Sequence, residues 1–205
     1  MPSAVVLAAC ATSIAMTLAA CGSDTDTSAA TATSTPSVAD ALTPSITETA
    51  TEASTCPTAA PDSNGTPEWT LPGDTGSVGV TGSTDTNAPN IKVEAPFSVT
   101  ETQVHTLQPG DGPVVEDTAT VSVCYMGVNG RDGSVFDNSY ERGTPVDFPL
   151  NGVVAGFQKA IAGQNVGSTV AVAMTSADGY PDGQPAAGIQ PGDSLIFAIK
   201  ILEAS

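Results

Sequence analysis

The C-terminal half of this 205-residue chain predicts an α+β domain, a twisted antiparallel β-sheet wrapped around one short α-helix. Two observations predict it. Thr118 to Met126, Ser168 to Thr175 and Ser194 to Leu202 alternate bulky apolar residues with small or polar ones, the period of a strand with one buried side. One stretch, Val153 to Gln164, instead sets Val154, Phe157 and Ile161 near helical spacing, with Asn151 as the expected N-cap and Gly163 as the expected stop. A single short helix covering one face of a twisted sheet satisfies both patterns.

In chain order, Val99 to Leu107 reads as an edge strand, and His105, the only histidine, as one of its surface residues. In Val121-Ser-Val-Cys-Tyr125 the residues Val121, Val123 and Tyr125 share one face, so Cys124 points to the other. A glycine-rich turn through Gly130 and Gly133 leads to Val135-Phe136-Asp137, then to a strand over Pro145 to Leu150, then to the helix. Val170, Val172 and Met174 form the bulkier face of the next strand, as Leu195, Phe197, Ile199 and Ile201 do for the last. Between them Ala177 to Gly192, with three Pro and four Gly, is a loop.

The N-terminal part has a different composition. Ala4 to Ala20 is almost wholly small or apolar and ends in Leu18-Ala19-Ala20-Cys21-Gly22, which resembles a bacterial lipobox. Such a signal, residues 1–20, is cut away and leaves a diacylated Cys21, although no Lys or Arg precedes Cys21 as such signals usually require. Residues 21–67 follow as a Thr/Ser/Pro-rich tether expected to be disordered. From Gly22 to Thr66 it carries six acids, no base and no apolar stripe, so it cannot offset its own ordering entropy. Residues 68–103 read as an arm or as edge strands at the border of the domain, with Trp69 as its anchor rather than a ligand platform. The main domain then spans 104–205.

Charge and cysteine usage narrow the function classes. The net charge is -17, and all five basic residues, Lys92, Arg131, Arg142, Lys159 and Lys200, lie in the C-terminal part, so no patch is available to neutralise nucleic-acid phosphates. One histidine and no C-x-x-C provide too few ligands for zinc, and nothing places a nucleophile near His105. No cofactor is expected. With Cys10 in the signal and Cys21 lipidated, Cys56 and Cys124 remain. An exported location permits a disulfide between them, but Cys124 reads more readily as a small buried filler.

Residues from about Val104 to the C-terminus resemble the FKBP family of macrolide-binding peptidyl-prolyl isomerases. The resemblance is carried by Tyr125 and Gly127, Asp132-Gly133, Phe136-Asp137, Ser139, Pro145 to Leu150, Val153-Val154, Gly156-Phe157, Gly179-Tyr180 and Leu195-Ile196-Phe197, in order and at fitting spacings. It implies the FKBP fold and an aromatic cleft between helix and sheet. Asp137, Tyr180, Phe136 and Phe197 are implied as catalytic residues, and Tyr125, Arg142, Phe148, Val153, Val154, Phe157 and Ile189 as substrate-binding ones. In that assignment Phe157 is the floor under the proline ring, with Phe136, Phe197 and Ile189 as apolar walls. The N–H of Val154 and the Tyr180 hydroxyl hold a substrate carbonyl, and Asp137 fixes the polar end beside Tyr125, Arg142 and Tyr180. Three positions depart from the family pattern: Phe157 stands where Trp is usual, Pro181 where Gly is, and Gln190 where Pro is. These departures predict retained binding and a lower rate.

The resemblance and the lipobox together imply a monomeric prolyl isomerase, lipid-anchored on the outer side of the cell membrane, acting on X-Pro segments of exported polypeptides and open to macrolide inhibitors. The alternative is a lipid-anchored proline-peptide-binding chaperone or adhesin-like module with little catalysis.

Overall fold

The computed structural model describes residues 55–61 and 65–205, all within one compact unit, Thr49–Ser205. The expected signal, Cys21 and most of the expected tether lie outside the described residues. Among the described residues no helix is long and apolar enough to cross a membrane.

The elements are β1 (Trp69–Pro72), β2 (Thr75–Thr81), β3 (Asn90–Ser98), β4 (Gln103–Gln108), β5 (Thr120–Asn129), β6 (Val135–Asn138), α1 (Ser139–Arg142), β7 (Val146–Pro149), α2 (Ala155–Ile161), β8 (Thr169–Met174) and β9 (Leu195–Ala204). The main sheet is antiparallel in the order β4-β8-β9-β5-β6, with β7 also paired to β5. His105 sits exposed on the edge strand β4, with Trp69 stacked over it at 5.5 Å and an interplanar angle of 7°.

One face of the sheet packs on α2. Val121 and Val123 from β5, Val170 and Val172 from β8 and Ile199 and Ile201 from β9 are all fully buried there with Ile161 of the helix. Burying a side chain such as Ile161 contributes about 1.5–3 kcal/mol, more than a seven-residue helix could gain from its own backbone. Gly156 lets the helix approach: a Cβ there would lie 2.7 Å from the Met174 sulfur. The helix ends as expected, with Gly163 at φ +77° directing its N–H to the Val115 carbonyl at 2.9 Å. Its start differs from expectation. A 3-10 turn over Leu150–Gly152 takes up Asn151, so the N-cap is Val154, with no side-chain cap.

The opposite face is the larger departure from the sequence reading, which left one side of each strand exposed. Every residue of β8 is buried. The sheet β1-β2-β3 lies over this second face rather than at the domain border, burying Val78, Val80 and Phe97 against Ala171, Ala173, Ile196 and Ala198. The small side chains at 171, 173 and 198 leave room for a second sheet, and alternation between bulky and small apolar residues is indistinguishable by period from alternation between buried and exposed ones.

The second correction concerns Cys124. It is not a free filler but forms a disulfide with Cys56, their Cα atoms 5.7 Å apart. Both are buried, in a small cluster with Ala88 and Tyr140. The last part of the expected tether is thus pinned to the domain. The Cys56 N–H donates to the Gly143 carbonyl at 3.3 Å, and the Ala88 N–H to the Ala59 carbonyl at 2.9 Å.

Candidate active site

The cleft opens between α2, β5, β6, β7 and the loop that precedes β9. It holds about 370 Å³ and is lined by Tyr125, Phe136, Asp137, Phe148, Gly152, Val153, Val154, Phe157, Tyr180 and Phe197. Phe157, from the first turn of α2, is 6 % exposed and forms the base. Its ring meets Phe197 at 5.0 Å, Phe148 at 5.4 Å and Tyr125 at 5.6 Å between centroids, each edge to face. Phe136 stands edge-on to Phe197 at 5.5 Å and 88°. Such T-shaped pairs let ring edges meet ring faces, so the wall is ordered by its own quadrupoles as well as by burial.

Gly127 is what permits this wall. It lies on β5, where an added Cβ would fall 2.7 Å from both the Phe136 and the Phe197 ring. The sequence reading held Gly127 only as part of a pattern; the close approach of two rings gives the physical reason for it.

One end of the cleft is polar. Tyr125 donates its hydroxyl proton to one oxygen of Asp137, and Arg142 donates to the other at 2.8 Å. Burial alone would lift the Asp137 carboxyl, but the Tyr125 and Arg142 hydrogen bonds and the guanidinium charge outweigh it and hold the group below the usual carboxylate range. Burial and the adjoining carboxylate push the Tyr125 phenol up to about 12. At neutral pH the end of the cleft is therefore an ionised Asp137 held between a neutral phenol and a cation. Since the Tyr125 proton is committed to Asp137, the donors left open at the cleft are the Tyr180 hydroxyl and the N–H of Val154, for which the described residues provide no partner.

Of the residues named from sequence, nine line this one cleft. Two do not. Arg142 is half exposed and reaches Asp137 from the rim. Ile189 is 2 % exposed and belongs to the core cluster with Phe157 and Phe197. Reciprocal hydrogen bonds between Gln184 and Ile189, 2.9 and 3.1 Å, close that part of the loop and carry Ile189 into the core, so it supports the wall from behind.

Sequence reasoning missed Gly152, which lines the cleft, and the network that shapes the loop carrying Tyr180. Asp193, 8 % exposed, accepts from Asn129 Nδ2 at 2.7 Å, the Gln190 N–H at 2.9 Å and Arg131 Nε at 3.2 Å, while Arg131 also donates to the Gly188 carbonyl at 3.1 Å. A buried carboxylate is tolerated because these donors satisfy it. Asp193 follows a Pro-Gly pair in a loop, and no local pattern marks its partners. Among the described residues no group of three or more His, Cys, Asp and Glu is placed to hold a metal ion.

Comparison with known proteins identifies the family. The family model described as FKBP-type peptidyl-prolyl cis-trans isomerase matches residues 112–202, which include every residue of the cleft. The FK506-binding protein of Streptomyces anulatus is 38% identical over 96 residues, a match that covers 45% of this chain and 77% of that protein. This chain belongs to the FKBP family. The FKBP-type 22 kDa peptidyl-prolyl cis-trans isomerase of Escherichia coli is 35% identical over 101 residues, covering 49% of this chain and 48% of the relative, about half its length. The crystal structure of FkpA from Escherichia coli shares 31% identity, with 53% of this chain and 50% of that one covered and a TM-score of 0.47. The matched residues begin at 112, so β1 to β4, the segment 55–61 and the Cys56 end of the disulfide all precede the matched region.

Proposed function

We propose that this FKBP domain catalyses cis-trans isomerisation of X-Pro bonds in exported polypeptides, from a position at the outer face of the cell membrane. The observation that carries the reading is a cleft walled by Tyr125, Phe136, Phe148, Phe157 and Phe197 with Asp137 at one end. Twisting an X-Pro amide costs about 18–20 kcal/mol because resonance is lost. The planar amide is the more polar and better solvated form, so a site that strips water from it favours the twisted one. Phe157 receives the proline ring, Phe136 and Phe197 exclude water from the amide, and the Val154 N–H with the Tyr180 hydroxyl holds the flanking carbonyl. Asp137 fixes the polar end through Tyr125 and Arg142. No nucleophile is required, since no bond is made or broken.

The membrane location rests on Leu18-Ala19-Ala20-Cys21 and on the acid-rich, base-free tract that follows it. Two acyl chains on Cys21 would give stable anchoring, at about 0.8 kcal/mol per buried methylene. Changing Cys21→Ser is expected to move the protein from the membrane to the soluble fraction; unaltered fractionation would refute the anchor. For the activity, a protease-coupled assay on a proline peptide is expected to show turnover that a macrolide suppresses. Macrolide binding without turnover would instead establish a binding module, the role that Phe157 in place of the usual Trp and Pro181 in place of Gly would favour.

A further inference from the structure

The polar end of the cleft depends on a helix that cannot stand alone. α1 is four residues long, a single turn, and a turn this short does not form in isolation because nucleation costs more than one hydrogen bond returns. It is held by what its inner face touches. Tyr140, 1 % exposed, donates to Ser83 Oγ at 2.9 Å. Ser139, fully buried, accepts from the Tyr125 N–H at 2.8 Å, and its hydroxyl lies 3.3 Å from the Tyr125 carbonyl and 3.5 Å from Cys56 Sγ. At the other end Gly143, in the left-handed conformation, accepts from the Cys56 N–H at 3.3 Å. Cys56 therefore touches both ends of α1 and is bridged to Cys124, the residue before Tyr125. The outer end of α1 carries Arg142, which reaches Asp137 at 2.8 Å.

We infer that Cys56 is a positioning residue for the cleft: joined to Cys124, it sets the place of α1 and so keeps Arg142 and Tyr125 on the two oxygens of Asp137. The inference rests on the isomerase reading of the cleft. Its physical content is a short chain of contacts, Cys56 to Ser139 and Gly143, α1 to Arg142, Arg142 to Asp137. The segment 55–61 is in turn held from the far side, where Asn87 Nδ2 donates to the Ala60 carbonyl at 2.7 Å. A stretch lying outside the matched family region thereby supports a catalytic carboxylate inside it.

The test uses the full chain in a Cys10→Ser, Cys21→Ser background, so that Cys56 and Cys124 are the only thiols. Oxidised protein is compared with protein reduced by a phosphine, which takes up oxygen from water as the bridge becomes two thiols, and with the Cys56→Ser/Cys124→Ser variant. Two quantities are read: kcat/KM on a proline peptide, and the titration of the Asp137 carboxyl carbon by NMR. The charged and titratable groups near that carboxyl are Tyr125 from β5, Arg142 and Glu141 from α1 and Tyr180 across the cleft. With the bridge open, kcat/KM is expected to fall about fivefold or more, and Asp137 to titrate closer to a free carboxylate. A lower melting midpoint with rate and titration both unchanged would overturn the inference, making the bridge a mere staple. Should the opened protein unfold, Ser139→Ala with the bridge intact decides: a shifted Asp137 titration supports the coupling and an unshifted one refutes it. If the oxidised chain has no isomerase activity, the functional reading fails while the titration still judges the clamp.

Discussion

Replacing Asp137 by Val separates a group that acts on substrate from one that holds the fold. The carboxylate and Arg142 side chains are 40% and 50% exposed, so their ion pair is screened and contributes about 0–1 kcal/mol to stability. For a domain of this size that shifts the melting midpoint by less than about 4 °C. The cost in the cleft is larger. Val leaves the half-buried Tyr125 hydroxyl without its acceptor and frees Arg142, so the polar end loses both its charge and its shape. Losing one such group is worth about 1–3 kcal/mol, or roughly five- to a hundredfold in kcat/KM. Asp137→Asn keeps an acceptor for Tyr125 and is expected to fall between wild type and Val. The pH dependence follows with a definite sign. Because the folded Asp137 titrates below its unfolded value, the clamped carboxylate is fully present above the ordinary range near pH 4 and is lost only as pH falls through its depressed value. Rate is therefore expected to stay level from neutral pH down to about 4 and to decline below it. The assay is protease-coupled isomerisation beside thermal melting of each variant. An Asp137→Val protein that unfolds, or one with wild-type rate, would refute the assignment.

Three further outcomes are expected. Gly127→Ala drives a methyl group to 2.7 Å from two rings of the cleft, so it should lose about 1–3 kcal/mol of stability and a larger share of activity, measured by denaturant midpoint and kcat/KM; an unchanged rate would show that the rings can part freely. Tyr125 and Tyr140 are both pushed up to about 12, mainly by burial, from 10.0, so the unfolded chain sheds these protons first. Stability is then complete below pH 10.0 and lost as pH rises toward 12, and Tyr140→Phe should flatten that decline in alkaline melts. A fragment starting at residue 68 should fold, yet melt below one starting at 55, because it lacks a bridge of sequence separation 68 whose loop closure is worth about 4 kcal/mol in the chain-entropy model; equal midpoints would show that the segment adds nothing.

The sheet and the helix were legible in the sequence because each has a local signature: Val121, Val123 and Tyr125 alternate, and Val154, Phe157 and Ile161 recur at helical spacing. The cleft was legible only through the resemblance to the FKBP family, carried by Phe136-Asp137, Val153-Val154, Phe157, Tyr180 and Phe197 in order. Strand order was not legible in this way, since β4 pairs β8 and β5 pairs β9 across long stretches of chain. What the sequence concealed was set by contacts distant along the chain. The Cys56–Cys124 pair spans 68 residues, and nothing in a Thr/Ser/Pro-rich stretch announces that its end will dock. The Asp193 network joins residues 62 and 64 apart, so a lone acid in a loop reads as solvated until its donors are in view.

The back face shows why small residues are the hardest to interpret. Ala171, Ala173 and Ala198 could face water at little cost, and by period alone they read as the outer side of their strands. Their real meaning is steric. Two sheets pack about 10 Å apart only when side chains from both interdigitate, so the face that meets Val78, Val80 and Phe97 sets the short Ala171, Ala173 and Ala198 beside the single bulky Ile196. The extra sheet also explains why β8 and β9 tolerate burial on both sides, and it places the β2–β3 loop, with Asn87 and Ala88, where it can hold the segment 55–61. That segment carries Cys56, and Cys56 braces α1. The residues preceding the matched region thus reach the rim of the cleft through Cys56 and α1, with the back sheet holding the segment that carries Cys56 in place.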